Sequence, residues 1–163
     1  MVMAPEVDKR VWSKIQNVVV SANIFATLPL EKLAVVLDNS DYTPETFPGL
    51  IYKVEDENLS FKKASFLLFS SGRVICAGTK SIKDSKAAVQ HVVEDLKDVG
   101  IEITKKPQIT VQNMVASGSV GGKLNLNEIV FLFENTECEP EQFPGLVYKL
   151  KGEDVLQNIT FLL

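Results

Sequence analysis

Sliding the 163-residue chain along itself by 96 positions lays Gln16 to Lys53 on Gln112 to Lys149 without a gap, and fifteen of those 38 positions are identical. Self-similarity at one fixed offset marks a duplicated unit, so the fold must be one that two like halves can build. The densest block pairs Pro44-Glu45-Thr46-Phe47-Pro48-Gly49-Leu50-Ile51-Tyr52-Lys53 with Pro140-Glu141-Gln142-Phe143-Pro144-Gly145-Leu146-Val147-Tyr148-Lys149. A second block pairs Gln16-Asn17-Val18-Val19 with Gln112-Asn113-Met114-Val115, and after a one-residue shift Ser65-Phe66-Leu67-Leu68 meets Thr160-Phe161-Leu162-Leu163.

Each copy reads as an α+β unit. The β-branched runs Val18-Val19-Val20 and Thr110 to Val115 favour extended backbone. Leu30, Leu33, Ala34 and Leu37 then recur at helical spacing, as do Ile129, Val130, Phe133 and Leu126 in the second copy. The strands expected next are Leu50 to Val54, Ala64 to Phe69 and Val74 to Ala77, the last two joined by the turn Ser70-Ser71-Gly72. A longer helix over Ile82 to Asp98 closes the first copy, with Ser81 as its N-cap and Gly100 as its stop.

Val89, Val92, Val93 and Leu96 line one side of that helix, so it lies on one face of an antiparallel sheet and leaves the other face open. A sheet with one wet face normally carries polar residues there. Here Asn17, Val19, Leu67, Phe69 and Ile75, with Asn113, Val115 and Leu162 in the second copy, fall on alternating positions with strong apolar character. From pattern alone a dimer interface or a second buried core fits these residues as well as a ligand face does.

Charge narrows the function. The net charge is −4, against a protein that coats nucleic acid without specificity. Yet Asn58 to Lys80 holds Lys62, Lys63, Arg73 and Lys80 with no acid, while Leu124 to Leu163 has seven acids against two lysines. One region can therefore face phosphates and another a basic partner. The two cysteines, Cys76 and Cys138, and the single His91 make no zinc set, and no nucleophile, base and orienting group assemble, so neither metal, cofactor nor enzymatic activity is expected. Met1-Val2-Met3-Ala4-Pro5-Glu6 has no secretory pattern. Ser117 to Lys123 has a phosphate-loop look without its first glycine or its final hydroxyl residue, and reads as a flexible loop.

Four motifs in this order and spacing, Gln-Asn-Val-Val at 16–19, Tyr-Thr-Pro-Glu-Thr-Phe-Pro-Gly-Leu-Ile-Tyr at 42–52, Phe-Ser-Ser-Gly-Arg-Val-Ile-Cys-Ala-Gly-Thr-Lys at 69–80 and Gln-Asn-Met-Val-Ala-Ser at 112–117, give a chain that resembles the TATA-binding protein family. The resemblance covers roughly Lys14 to Leu163 and is closer to the acidic archaeal members. It implies a saddle of two pseudo-symmetric repeats, 14–106 and an incomplete 107–163, with a curved antiparallel sheet under helices on the convex side.

The same resemblance implies a general transcription initiation factor that binds and bends the minor groove of A·T-rich TATA-box DNA. Asn17 and Asn113 would donate to the central base pairs beside Val19 and Val115, with Leu67, Ile75 and Leu162 on the same underside. Phe47 and Phe69 match a phenylalanine pair that wedges into one base step, and Phe143 matches one member of the pair at the other end. Lys53, Arg73, Lys80 and Lys149 match basic groups near phosphates. Glu139 and Glu141 match an acidic loop that grips transcription factor B, with RNA polymerase machinery as the further partner. Localisation follows as the nucleoid of an archaeal cytoplasm, or the nucleus in a eukaryote.

Three departures stand out. Ala77 replaces a base-contacting threonine, Ile75 replaces valine, and Cys138 replaces tyrosine. The chain also ends at the counterpart of Leu68, so a fragment of a longer protein is expected, with weak stability or a dimer through the concave face when DNA is absent. The competing reading is an interaction module of the same fold that offers its apolar underside to a polypeptide.

Overall fold

The computed structural model describes residues 10–150 and 159–163, which leaves the N-terminal Met1 to Glu6 and the acids Glu153 and Asp154 outside the described residues. The described residues divide into two compact units, a larger one of Trp12–Gly118 and a smaller one formed chiefly by residues 119–150 and 159–163. Its secondary structure is mixed α+β, as the duplicated pattern requires.

The larger unit is built from β1 (Val11–Asn23), α1 (Leu30–Val36), β2 (Ser40–Asp41), β3 (Leu50–Glu55), β4 (Lys63–Leu68), β5 (Arg73–Thr79), α2 (Ile82–Asp98) and most of β6 (Gln108–Val120). The strands form one sheet in the order β2-β3-β4-β5-β1-β6. Pairing is antiparallel from β2 through β3, β4 and β5 to β1.

Strand periodicity places the core. Val18, Val20 and Ala22 of β1, Ala64, Phe66 and Leu68 of β4, and Val74 and Cys76 of β5 are buried, while their odd-numbered neighbours are not. These even positions join Leu30 and Leu33 of α1 and Val89, Val92, Val93 and Leu96 of α2 in one apolar cluster. Each large side chain so buried stabilises the fold by roughly 1.5–3 kcal/mol. Both helices therefore cover one face of the sheet.

Helix α2 spans the residues its pattern indicates. The Ser81 hydroxyl accepts from the Asp84 N–H at 3.0 Å. At the other end Gly100, with φ +93°, donates to Lys97 O while Ile101 donates to Leu96 O, a closed C-terminal turn that favours glycine. Tyr52 of β3 ties sheet to helix by donating to Asp95 Oδ2 at 2.9 Å. Inside the joint the buried hydroxyls of Thr79 and Ser85 satisfy each other at 2.7 Å.

The smaller unit repeats the first part of this plan. It contains α3 (Leu126–Leu132), β7 (Thr136–Glu137), β8 (Val147–Leu150) and β9 (Ile159–Leu162), with the strands in the antiparallel order β7-β8-β9. The correspondence reaches the backbone: Asn39 and Asn135 both have positive φ, and their carbonyls accept from Lys53 N–H and Lys149 N–H. Tyr148 packs between Phe133 and Phe161.

Several boundaries differ from the sequence expectation. Ser117 to Val120 are not loop but the end of β6: Ser117, Gly118 and Ser119 are poor strand formers by propensity, and it is their place beside β1 in the sheet that holds them extended. Phe69 leaves the strand: its N–H meets Arg73 O at 2.9 Å and its O takes Gly72 N–H, which closes the turn. Strand β1 extends well beyond its Val-Val-Val centre, and the two-residue strands β2 and β7 carry no periodic signal. His91 is a half-buried boundary residue, edge-on to Phe61 and 3.6 Å from Asp95.

Candidate nucleic-acid interface

The sheet face away from the helices carries a largely apolar row where a wetted face would be polar. Cross-strand register places Ile51, Leu67, Ile75 and Ser21 in one row over β3, β4, β5 and β1. Next to it runs the row Lys53, Ser65 and Ala77. Leu67, Ile75, Ala77 and Val19 are half-buried on this face.

Two asparagines belong to the adjacent strands β1 and β6. Asn17 is half-buried and its Oδ1 accepts the Gly78 N–H at 2.7 Å. Asn113 and Val115 are exposed on β6. The two strands are linked by a matched pair of side-chain bonds: Gln16 Nε2 donates to Ser117 Oγ at 2.7 Å, and Gln112 Nε2 donates to Ser21 Oγ at 2.8 Å. Both donors and both acceptors are equivalent under the 96-residue repeat, so β1 and β6 meet through like residues.

At the β3 and β4 end, Phe47 and Phe69 meet edge to face with centroids 5.9 Å apart. Phe47 rises from a turn in which Thr46 N–H and Phe47 N–H both point to Thr43 O. The second copy reproduces this turn, with Gln142 N–H and Phe143 N–H on Glu139 O, and leaves Phe143 partly exposed. Behind each ring is a glycine that nothing larger could replace without movement. A Cβ on Gly49 would lie 2.7 Å from Phe47 Cε1, and one on Gly145 would lie 2.6 Å from Phe143 Cε1.

The basic residues divide. Lys53, Arg73 and Lys80 are exposed, and Arg73 sits across from Asn23 beside an open groove lined by Ser21, Ser71, Gln108 and Thr110. Lys149 is instead paired with Glu137 at 2.5 Å. Glu139 and Glu141 are exposed on the turn before Phe143, and Leu162 is exposed on β9 opposite Val147.

The structure thus brings Asn17, Val19, Leu67 and Ile75 onto one face, with Phe47 and Phe69 as a pair near its edge. Phe143, Leu162, Lys149, Glu139 and Glu141 belong to the smaller unit. Sequence reasoning missed Ile51, Ser21, Gly49 and Gly78. Ile51 and Gly49 stand inside the most strongly repeated block, and that repetition was the signal; Ser21 and Gly78 become visible only through the register of β1 on β5.

Chemically this face offers apolar surface and amide donors. Among the described residues there is no cluster of three or more His, Cys, Asp or Glu fit to hold a metal ion, and no helix long and apolar enough to cross a membrane.

Comparison with known proteins gives a consistent picture. The family profile described as "Transcription factor TFIID (or TATA-binding protein, TBP)" matches residues 12–99 and 108–162. The TATA-box-binding protein of Methanocaldococcus jannaschii is 43% identical over 155 residues, covering 95% of this chain and 79% of that one. TATA-box-binding protein D of Halobacterium salinarum is 46% identical over 145 residues, covering 88% of this chain and 75% of that one. The solved structure of Methanococcus jannaschii TBP superposes with a TM-score of 0.73 at 45% identity, over 85% of this chain and 76% of that one.

Proposed function

Because the chain belongs to the TATA-binding protein family, we propose that it is a general transcription initiation factor whose open sheet face binds and bends the minor groove of A·T-rich promoter DNA. The observation that carries this reading is the row of half-buried apolar side chains on the face away from the helices, with an asparagine amide set beside it. A·T pairs show only acceptors in the minor groove, whereas G·C pairs add the guanine amino group. Amide donors flanked by Val19, Leu67 and Ile75 accept the first pattern and clash with the second.

Binding bends the duplex because the face is wide and apolar, and a minor groove must open to lie on it. The Phe47 and Phe69 pair, with Phe143 from the second copy, inserts between base steps and unstacks them. Unstacking of this kind, for which this family is a known example, costs about a few kcal/mol per step. Flexible TA steps deform most cheaply, which adds specificity at positions not directly read. Lys53, Arg73, Lys80 and Lys149 fix the register through phosphates, Lys149 by exchanging Glu137 for a phosphate. Glu139 and Glu141 present an acidic surface to basic transcription factor B, through which RNA polymerase is recruited.

Val19→Lys tests this reading, since it places a long cation in the centre of the face. A gel shift on an A·T-rich duplex should disappear while the circular dichroism of the protein is unchanged; an undiminished shift contradicts the reading. Salt titration separates DNA from a polypeptide on the same face. Four phosphate contacts give a slope of log K on log salt of roughly −3 to −4, whereas an apolar protein interface gives a slope near zero.

A further inference from the structure

The orientation of the Asn17 amide is set by a backbone irregularity in a neighbouring strand. From Val18 to Val20 on β1 the chain advances two residues, while the partners on β5 run from Thr79 to Cys76. Strand β5 therefore carries one extra residue, a bulge that takes the local backbone out of the ladder. Gly78 lies in this bulge with φ +99°, a conformation that L side chains rarely adopt. Its N–H has left the regular pairing and points at Asn17 Oδ1, 2.7 Å away.

An amide group has one oxygen that accepts and one nitrogen that donates, so an N–H can be met only by the oxygen. With Oδ1 committed to Gly78, the Nδ2 hydrogens of Asn17 are directed away from it, and no protein acceptor takes them among the described residues. We propose that Gly78 is a positioning residue for sequence discrimination: its bulged N–H locks the Asn17 amide so that only donors face the ligand. The inference rests on the reading that this face binds the A·T minor groove. A freely rotating amide would present its oxygen as readily as its nitrogen and could accept from a guanine amino group; a locked one cannot.

The lock can be opened without crowding. The nearest atoms to a Cβ on Gly78 would be Ala64 Cα at 3.7 Å and Lys63 O and Ser65 N at 3.9 Å, all ordinary contacts. Gly78→Ala therefore acts through the backbone conformation that alanine avoids, swinging the N–H off Asn17.

The experiment measures, for each protein, the ratio of its affinities for an A·T-rich duplex and for the same duplex with the two central pairs changed to G·C. Gly78→Ala should lower that ratio about tenfold, the scale of one good minor-groove donor, and Asn17→Ala should lower it equally. The double variant should show no further loss, because Gly78 acts only through Asn17. An unchanged ratio in Gly78→Ala, or losses that multiply in the double variant, overturns the proposal.

A second readout needs neither DNA nor the variant. In the free wild-type protein, NMR should show a scalar coupling across the hydrogen bond from Gly78 nitrogen to the Asn17 side-chain carbonyl carbon. Its absence overturns the proposal on its own. If the wild type binds both duplexes equally while the coupling is present, the functional reading fails and the lock itself stands.

Discussion

The rings of Phe47 and Phe69 meet at 67°, edge to face, and Gly49 sits against both: a Cβ there would come within 2.7 Å of one ring and 3.1 Å of the other. The two aromatics come from different strands' ends, and the glycine lets them close on each other. Their packing is worth about 0.5–1.5 kcal/mol, and the wedge proposed for them depends on the pair keeping its shape. Gly49→Ala should therefore displace Phe47, weaken binding to an A·T-rich duplex by about tenfold or more and reduce the bend seen by energy transfer between dyes at the duplex ends. Phe47→Ala should do the same with less effect on folding, since Phe47 is only half-buried.

Tyr52 and Asp95 link β3 to α2 on the opposite side of the sheet. Burial holds the Tyr52 hydroxyl protonated well above the usual tyrosine range, reinforced by the bond to Asp95 and the charges of Asp95 and Asp38. Tyr52→Phe should lower stability to urea by about 1 kcal/mol, the net value of a typical hydrogen bond, and leave DNA binding unchanged.

The two cysteines should separate cleanly in reactivity. Cys76 is fully buried on β5, and burial pushes its thiol up to about 12, while Cys138 is partly exposed. Alkylation of the folded protein near pH 8 should label Cys138 alone, with Cys76 reacting only after unfolding.

Alkaline pH should expose the same asymmetry as a loss of stability. An unfolded Cys76 gives up its proton near 9.0 and the folded one near 12, so between those values the unfolded chain binds fewer protons and stability falls as pH rises. The contribution is fully present below pH 9 and is lost by about 12. Cys76→Ala should flatten the melting temperature across that window; an equal decline in wild type and variant would assign the loss elsewhere, with Tyr52 adding its share above about pH 10.

Much of this was legible in the sequence, and the reason is periodicity. The apolar stripe of α2, its Ser81 cap and its Gly100 stop are local signals, and they fix the helix to its observed ends. The open face could be read because Leu67 and Ile75 alternate with buried Phe66 and Cys76. What stayed hidden depends on register between distant segments. Nothing near Asn17 in the chain indicates that Gly78 will hold its amide, since that bond exists only because β5 carries one residue more than β1 at that point. The Lys149 pair with Glu137 escaped for the same reason, as did β2 and β7, two residues each and too short for any period to show.

If the open sheet face is the binding surface, DNA is recognised from its minor-groove side. Inosine·cytosine pairs keep the minor-groove acceptor pattern of A·T while changing the major groove. The decisive measurement is the affinity of the protein for an A·T-rich duplex against the same duplex rebuilt with inosine·cytosine. Equal affinity, within about a factor of two to three, is what the open face of this sheet predicts; loss of binding on the inosine duplex would place the recognition in the major groove and contradict it.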